Sequence, residues 1–156
     1  MKMYKIVPIM ILIISVMVIS NPVYAGEYIY TTHIDVGSKY TLNQGITKDI
    51  KAELWADTNA FWGDNWLNDF PVMFDIQNSQ GQHVLEKVVK TNSIGNAHLK
   101  LDTSNMVCGD YNIHVIFEGL TYDKSIYLGP FSPPSHDYYI YDPSEKSAKL
   151  IIIPKK

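Results

Sequence analysis

The chain has 156 residues, of which 46% are hydrophobic and 19% charged, and a formal net charge of −3. This length and apolar fraction fit one folded domain and are atypical of a disordered chain. The single cysteine excludes a disulfide framework and cysteine-rich zinc or iron–sulfur sites. The chain contains no arginine and no basic cluster, so we expect it not to bind nucleic acid.

Residues 1–25 have the pattern of a secretory signal peptide. Lys2 and Lys5 precede an almost unbroken apolar stretch, Ile6–Ile19, and Asn21–Ala25 provides a cleavage site after Ala25. Fourteen helical residues span about 21 Å, less than a bilayer core of about 30 Å. We therefore expect a secreted, extracellular or cell-surface protein with no membrane insertion after cleavage. The alternative is an uncleaved anchor.

The predicted mature chain, residues 26–156, alternates apolar and polar residues with a period of two, which is typical of strands with one buried face. Gly, Asn and Ser separate the runs every eight to twelve residues. This spacing predicts an all-β sandwich of about seven strands over residues 26–131. The expected strands are Tyr28–Val36, Asp49–Leu54, Phe70–Ile76, His83–Lys90, Ala97–Leu101, Tyr111–Phe117 and Ser125–Phe131, with a turn at Gly119–Lys124 before the last.

Residues 132–156 are expected to form a C-terminal extension. After Pro133 and Pro134 come two strand-like runs, Tyr138–Tyr141 and Leu150–Ile153, and the intervening Pro143 favours a hairpin. Four consecutive aliphatic residues would promote aggregation if they formed an exposed edge. We therefore expect this extra C-terminal β-hairpin to pack on the sandwich.

Three segments resemble the Ig-like β-sandwich surface modules of prokaryotes, which include invasin/intimin-type, macroglobulin-like and carboxypeptidase-regulatory-like domains. The segments are Phe74–Gly81, Lys90–Ala97 followed by Leu99 and Leu101, and Gly109–Val115. Three residues of the second and third segments have a physical role in a sandwich. Gly95 permits a left-handed turn, Ala97 lets the sheets approach, and Tyr111 can fill the core while its hydroxyl bonds back to the backbone.

The resemblance covers Ile46–Phe131 and implies an Ig-like Greek-key β-sandwich. Such modules act in adhesion, partner binding or structural spacing, without enzymatic activity. We expect the same here, with a protein or a cell-surface polysaccharide as partner. Two features depart from the family pattern: the sequence shows no tandem repeat, and the segment after Leu54 is longer than the pattern requires.

That long segment, Trp55–Asp69, contains all three tryptophans of the chain. Loops often carry function, and exposed tryptophan is a frequent contact residue. The binding hypothesis assigns partner contacts to five residues: Phe61, Trp62, Asp64, Asn65 and Trp66. The alternative is that the tryptophans fold back and cap the core. A carbohydrate-binding module stacking sugars on tryptophan and tyrosine, including Tyr138, Tyr139 and Tyr141, is a second functional reading.

No motif indicates catalysis or a metal site. The five histidines are scattered singly, mostly at outward strand positions, without zincin spacing, and no G-x-S-x-G sequence occurs. The Asp and Asn residues after Trp55 fail the EF-hand spacing. We therefore expect no catalytic residues, metal or cofactor, with a small extracellular hydrolase as the remaining alternative. Cys108 is expected to be a small buried side chain near a turn.

Overall fold

A computed structural model describes residues 26–57, 65–126 and 135–155, which are built from β-strands. No helix in these ranges is long and apolar enough to cross a membrane. The strands are β1 (Gly26–Tyr30), β2 (Thr32–Val36), β3 (Lys39–Asn43), β4 (Thr47–Ala56), β5 (Asn65–Trp66), β6 (Pro71–Asn78), β7 (His83–Lys90), β8 (Asn96–Asp102), β9 (Gly109–Phe117), β10 (Leu120–Ile126), β11 (Ser135–Tyr141) and β12 (Ser144–Ile153). The predicted signal peptide lies outside the described residues.

Two sheets form the body of the molecule. One has five strands in the order β3-β12-β9-β6-β7. In the other, β2 pairs with one side of β4, and β8 and β5 pair with its opposite side. Along β4, β8 and β9 every second residue is buried, so each strand turns an apolar side inward.

The inward side chains of both sheets form one hydrophobic core. Its largest fully buried members include Phe74 and Phe117 from the five-stranded sheet and Leu54 and Leu99 from the other. Because these side chains come from the facing surfaces of two sheets, the body is a β-sandwich. The all-β prediction is confirmed.

A third sheet, in the order β1-β11-β10, extends from one end of the sandwich, and we call it the arm. Each arm strand is continuous in the chain with a sandwich strand: β1 with β2, β10 with β9 and β11 with β12. At the junction, the Thr32 hydroxyl donates to the Asp142 carbonyl oxygen at 2.6 Å, and the Asp142 amide donates to the Tyr30 carbonyl oxygen at 3.0 Å. The arm is therefore fixed to both sheets at its base.

The C-terminal strands form where expected but do not pair with each other as the predicted hairpin. β11 pairs with β1 and β10 in the arm, and β12 inserts between β3 and β9 in the five-stranded sheet. Pro143 separates the two strands. The aliphatic run of β12 is buried as a sandwich strand, because Leu150 and Ile152 face the core.

One further prediction is corrected at the level of single elements, and one strand is added. The expected turn at Gly119–Lys124 is restricted to Glu118 and Gly119, and Leu120 already pairs with Tyr141 in the arm. Strand β3 was not predicted from the sequence; it pairs in parallel with β12 and contributes Leu42 to the core. Residues 127–131 of the last expected strand lie outside the described part.

Tyr111, Gly95 and Ala97 occupy the places expected from the sequence. Tyr111 is 7% exposed, and its hydroxyl donates to the Val107 carbonyl oxygen at 2.7 Å. Gly95 has a φ of 71°, and Ala97 is fully buried. The prediction for Cys108 is wrong, because this side chain is exposed. It lies in the connection that precedes β9, outside the alternation that buries Tyr111.

Candidate functional site: the aromatic end of the sandwich

The segment that the sequence singled out begins and ends at the arm end of the sandwich. Strand β4 runs to Ala56, and the Asp57 amide donates to the Thr31 carbonyl oxygen at 2.9 Å, beside the base of the arm. The chain returns through β5, where Asn65 pairs with Ala56 and Trp66 with Trp55. Phe61, Trp62 and Asp64 lie outside the described residues.

Four side chains form a tryptophan cluster on the outer face of the β2-β4-β5 sheet: His33, Trp55, Asp57 and Trp66. The rings of Trp55 and Trp66 meet edge to face with centroids 5.9 Å apart, and His33 stacks on Trp55 at 5.6 Å. His33 Nε2 lies 3.0 Å from an Asp57 carboxylate oxygen. Trp66 is 45% exposed, so the cluster presents an aromatic surface to solvent.

The two residues that follow the loop point in opposite directions. Leu67 is 4% exposed and packs in the core, whereas Trp66 lies over the turn that contains Gly95. A Cβ at Gly95 would approach Trp66 Cε3 to 2.9 Å and the Leu54 carbonyl oxygen to 2.5 Å. The absence of a side chain at Gly95 therefore lets Trp66 pack closely on the turn while Leu67 anchors the segment.

Residues 67–70 cross the end of the sandwich and are fixed by Thr91. The Thr91 hydroxyl donates to the Leu67 carbonyl oxygen and accepts from the Phe70 amide at 3.0 Å. The Asp69 amide donates to the Thr91 carbonyl oxygen at 2.9 Å, and Asp69 has a left-handed φ of 67°. Aspartate tolerates this conformation better than most residues. We call residues 67–70 the crossing segment.

The arm presents a tyrosine face, which consists of Tyr28, Tyr30, Tyr122, Tyr139 and Tyr141. They share one side because β1 and β10 pair with β11 in a register that places Tyr28 and Tyr122 beside Tyr139. Ring centroids of Tyr28 and Tyr139 are 5.2 Å apart, and those of Tyr30 and Tyr141 are 5.1 Å apart, all nearly parallel. Of the three tyrosines named from the sequence, Tyr139 and Tyr141 belong to this face, whereas Tyr138 lies on the opposite face of the arm. Tyr28, Tyr30 and Tyr122 are not among the residues named from the sequence.

The tyrosine face and the crossing segment together line a cleft of about 350 Å³. Its apolar wall is formed by Phe70, Leu120, Tyr122 and Tyr141, and Asn68 and Asp69 lie on the opposite rim. The rings of Phe70 and Tyr141 meet edge to face at 4.9 Å. Burial, with the neighbouring Tyr30 and Tyr139, raises the pKa of Tyr141, so its hydroxyl remains a hydrogen-bond donor at neutral pH.

The described histidines lie on outer faces, and four of them contact an aspartate. The fifth, His114, contacts the Ser147 hydroxyl through Nδ1 at 3.0 Å. Ser147, His114 and Asp75 lie in one row across the sheet, but Asp75 is hydrogen-bonded to His83 and Gln77. This differs from a catalytic triad, in which the aspartate orients the histidine that bonds to serine. Within the described ranges, no three His, Cys, Asp or Glu side chains are placed to hold a metal ion.

In comparisons with known proteins, the chain matches no family model, and no curated protein matches it.

Proposed function

We propose that this protein is an exported, non-enzymatic Ig-like module that binds a partner at the cell surface through its aromatic end. The strand arrangement supports an Ig-like fold. Strands β2, β4 and β8 share one sheet and β6, β9 and β12 the other, as strands A, B, E and C, F, G do in Ig domains. The Tyr111 hydrogen bond four residues back resembles the tyrosine corner of that fold.

One observation carries the binding proposal: exposed aromatic residues from segments distant in sequence converge at one end of the sandwich. Trp66 is 45% exposed and Tyr122 56% exposed, although a domain of this kind has a core in which aromatic rings can be buried. Rigid aromatic side chains contribute large contact areas at little conformational cost, which makes them frequent interface anchors. The loops of Ig variable domains that recognise ligands cluster at one end in the same way.

The proposal is tested by incubating the fluorescently labelled protein with cells of the source organism and measuring the fraction retained after washing. We expect the wild-type protein to be retained and the Trp66→Ala and Tyr122→Ala variants each to bind about tenfold more weakly, which corresponds to about 1.4 kcal/mol. Both side chains are exposed, so their loss should leave the core intact.

The matched control is Val84→Ala. Val84 is an apolar residue that is 45% exposed, like Trp66, but it lies on β7 away from the aromatic end. This variant is expected to bind like the wild-type protein. Absence of retention, or equal weakening by Val84→Ala and Trp66→Ala, would contradict binding through the aromatic end.

A further inference from the structure

We propose that the cleft between the tyrosine face and the crossing segment binds an uncharged polysaccharide. This inference rests on the proposed function, because it assigns a ligand class and a place to the binding end. The recognition surface is formed by Tyr122, Tyr141 and Phe70 on one wall and Asn68 and Asp69 on the rim. The tryptophan cluster lies at the same end of the sandwich, on the outer face of the other sheet, and remains the second contact of the proposed function.

The walls of the cleft match the apolar side of a sugar ring. Tyr122 is 56% exposed, and Leu120 beside it is 38% exposed, so this wall is open to solvent. Neighbouring rings hold this wall in place. The ring centroids of Tyr139 and Tyr122 are 6.4 Å apart, and the ring of Tyr141 packs edge to face on that of Phe70. A sugar ring has an apolar face of C–H groups that packs on such rings without deep burial. Pre-ordered aromatic rings also lose little entropy on binding.

The polar groups of the cleft match the hydroxyl rim of a sugar. The Asn68 amide offers two donors and an acceptor, Asp69 offers carboxylate acceptors, and the tyrosine hydroxyls both donate and accept. Pockets of this type, with apolar walls and a few polar groups, are typical of small-ligand sites. The backbone of Asp69, which has a left-handed φ and is held by Thr91, fixes the direction in which its Cβ leaves the chain.

The charges around the cleft favour a neutral ligand. Lys90 Nζ lies 3.0 Å from an Asp69 carboxylate oxygen, so this pair is internally compensated. Farther along the tyrosine face, Lys124 lies beside Asp137 in the strand register. Among the described residues, those that line the cleft include one acidic side chain and no cation, so an anionic polymer would gain no attraction from them.

The dimensions of the cleft favour a chain of sugars over a folded protein. A cleft of about 350 Å³ has room for one or two sugar rings at a time, whereas a folded protein would have to make most of a stable interface, about 800 Å² on each partner, outside the cleft. A polysaccharide can extend beyond the cleft along the neighbouring tyrosines Tyr139, Tyr28 and Tyr30, whose rings continue the same face.

Affinity electrophoresis through gels that contain mannan, mixed-linkage β-glucan or xyloglucan tests the inference, with polygalacturonate as the acidic comparison. We expect at least one neutral polysaccharide to retard the protein. Tyr122→Ala should weaken the binding about tenfold, and Tyr122→Phe, which keeps the ring, should retain most of it. The matched control is Tyr138→Ala, which removes a tyrosine that is 38% exposed and lies on β11, on the opposite face of the arm from Tyr122.

The inference is overturned if only polygalacturonate retards the protein, if no neutral polysaccharide does, or if Tyr138→Ala and Tyr122→Ala weaken binding equally. Retention by cells that disappears after surface proteins are digested, without retardation by neutral polysaccharide, would replace the polysaccharide with a protein partner. That result would leave the proposed binding module standing, whereas a failure of cell retention would contradict the proposed function itself.

Discussion

Asp75 is a carboxylate on an outer sheet face that is nevertheless only 4% exposed. It lies on β6 between β7 and β9, where Glu86 and His114 are its cross-strand neighbours. Burial opposes its ionisation, but hydrogen bonds from His83 and Gln77 and the charges of His83 and His114 outweigh this effect and lower the pKa of Asp75. The hydrogen bond to Asp75 and its charge raise the pKa of His83 above 6.5.

The Asp75→Asn variant should therefore lose stability in a pH-dependent way. The contribution of protonated His83 to the free energy of unfolding is fully present below about pH 6.5. It is lost as the pH rises through the raised pKa of His83. The Asp75 contribution is present above about pH 3.8 and is lost as the pH falls through its lowered pKa. Urea denaturation should show a larger loss of unfolding free energy for Asp75→Asn at about pH 5 than at about pH 9.

The comparison variant for this measurement is Asp49→Asn, which breaks the His98–Asp49 contact, whose side chains are 43% and 52% exposed. Exposed ion pairs contribute little, so its effect should be small at both pH values. Equal losses for Asp75→Asn at the two pH values would contradict the assigned coupling of Asp75 to His83.

Adjacent residues in β5 and the crossing segment should differ sharply in their effect on stability. Trp66→Ala should cost about 1 kcal/mol or less, because 45% of this residue is already exposed and its packing on Trp55 and Gly95 lies at the surface. Leu67→Ala should cost about 2–5 kcal/mol, because it leaves a cavity in the core. Thermal and urea unfolding measure both values, and a larger loss for Trp66→Ala would place this ring in the core.

At the scale of single residues, the sequence predicts the position of a side chain where that position depends on neighbours in the chain. Tyr111 was assigned to the core with its hydroxyl bonded to the backbone, since a strand-initial tyrosine can meet the preceding turn. Cys108 was misassigned, because burial in a connection depends on how the connection lies over the sheets. Tyr28 and Tyr122 were missed as site residues, because their common face depends on a strand pairing that alternation does not specify.

At the scale of elements, the close packing of the β7–β8 turn, which contains Gly95, can be tested by substitution. Gly95 and Gly81 both have positive φ, at 71° and 76°, so alanine is strained at either position. At Gly95 a Cβ would also collide with the Leu54 carbonyl oxygen, whereas nothing lies within 4 Å of a Cβ at Gly81. Gly81→Ala should cost about 1–2 kcal/mol, and Gly95→Ala substantially more.

Chemical denaturation of the two glycine variants separates these contributions. Because the conformational strain is similar, the difference between them reports the collision at the base of the tryptophan cluster. Gly95→Ala should also change tryptophan fluorescence, since Trp66 must move away from the turn. Equal costs and an unchanged spectrum would contradict the close packing of Trp66 on Gly95.

Strand β12 should be essential to the sandwich, since it lies between β3 and β9 in the five-stranded sheet. Leu150 is fully buried, and Leu150→Ala should cost about 2–5 kcal/mol. Its neighbour Lys149 points outward, so Lys149→Ala should change stability by about 0.5 kcal/mol or less. Similar small effects for both variants in urea denaturation would mean that β12 is a peripheral strand.

The elements were predictable from the sequence where one face is strongly apolar. Strand β9 is predicted from Tyr111, Ile113, Val115 and Phe117, which all face the core. Strand β7 also matches its predicted bounds, although most of its side chains are exposed. Strand β10 was assigned to a turn, because Leu120–Lys124 has mixed polarity and lies in the arm, away from the main core. Strand β3 is not predicted because only the half-buried Tyr40 and the buried Leu42 face the core, and its parallel pairing with β12 joins residues far apart in the chain.

At the scale of the whole molecule, the aromatic end is produced by the strand topology. Parallel pairing brings β1 beside β11, which is far from it in sequence. The paired strands β9 and β12 continue into the arm as β10 and β11. The crossing segment passes from one sheet to the other beneath it. The sequence identified the tryptophan-rich segment as the candidate contact, but the cleft depends on long-range pairing that no local pattern contains.

The most direct test of this account is a hydrogen–deuterium exchange measurement on the purified protein with and without saturating cell-envelope extract from the source organism. We predict that protection on binding is concentrated in residues 65–70, 120–124 and 136–141, at the aromatic end. Protection concentrated instead on the outer face of the five-stranded sheet, in β7 and the middle of β6, would contradict the account.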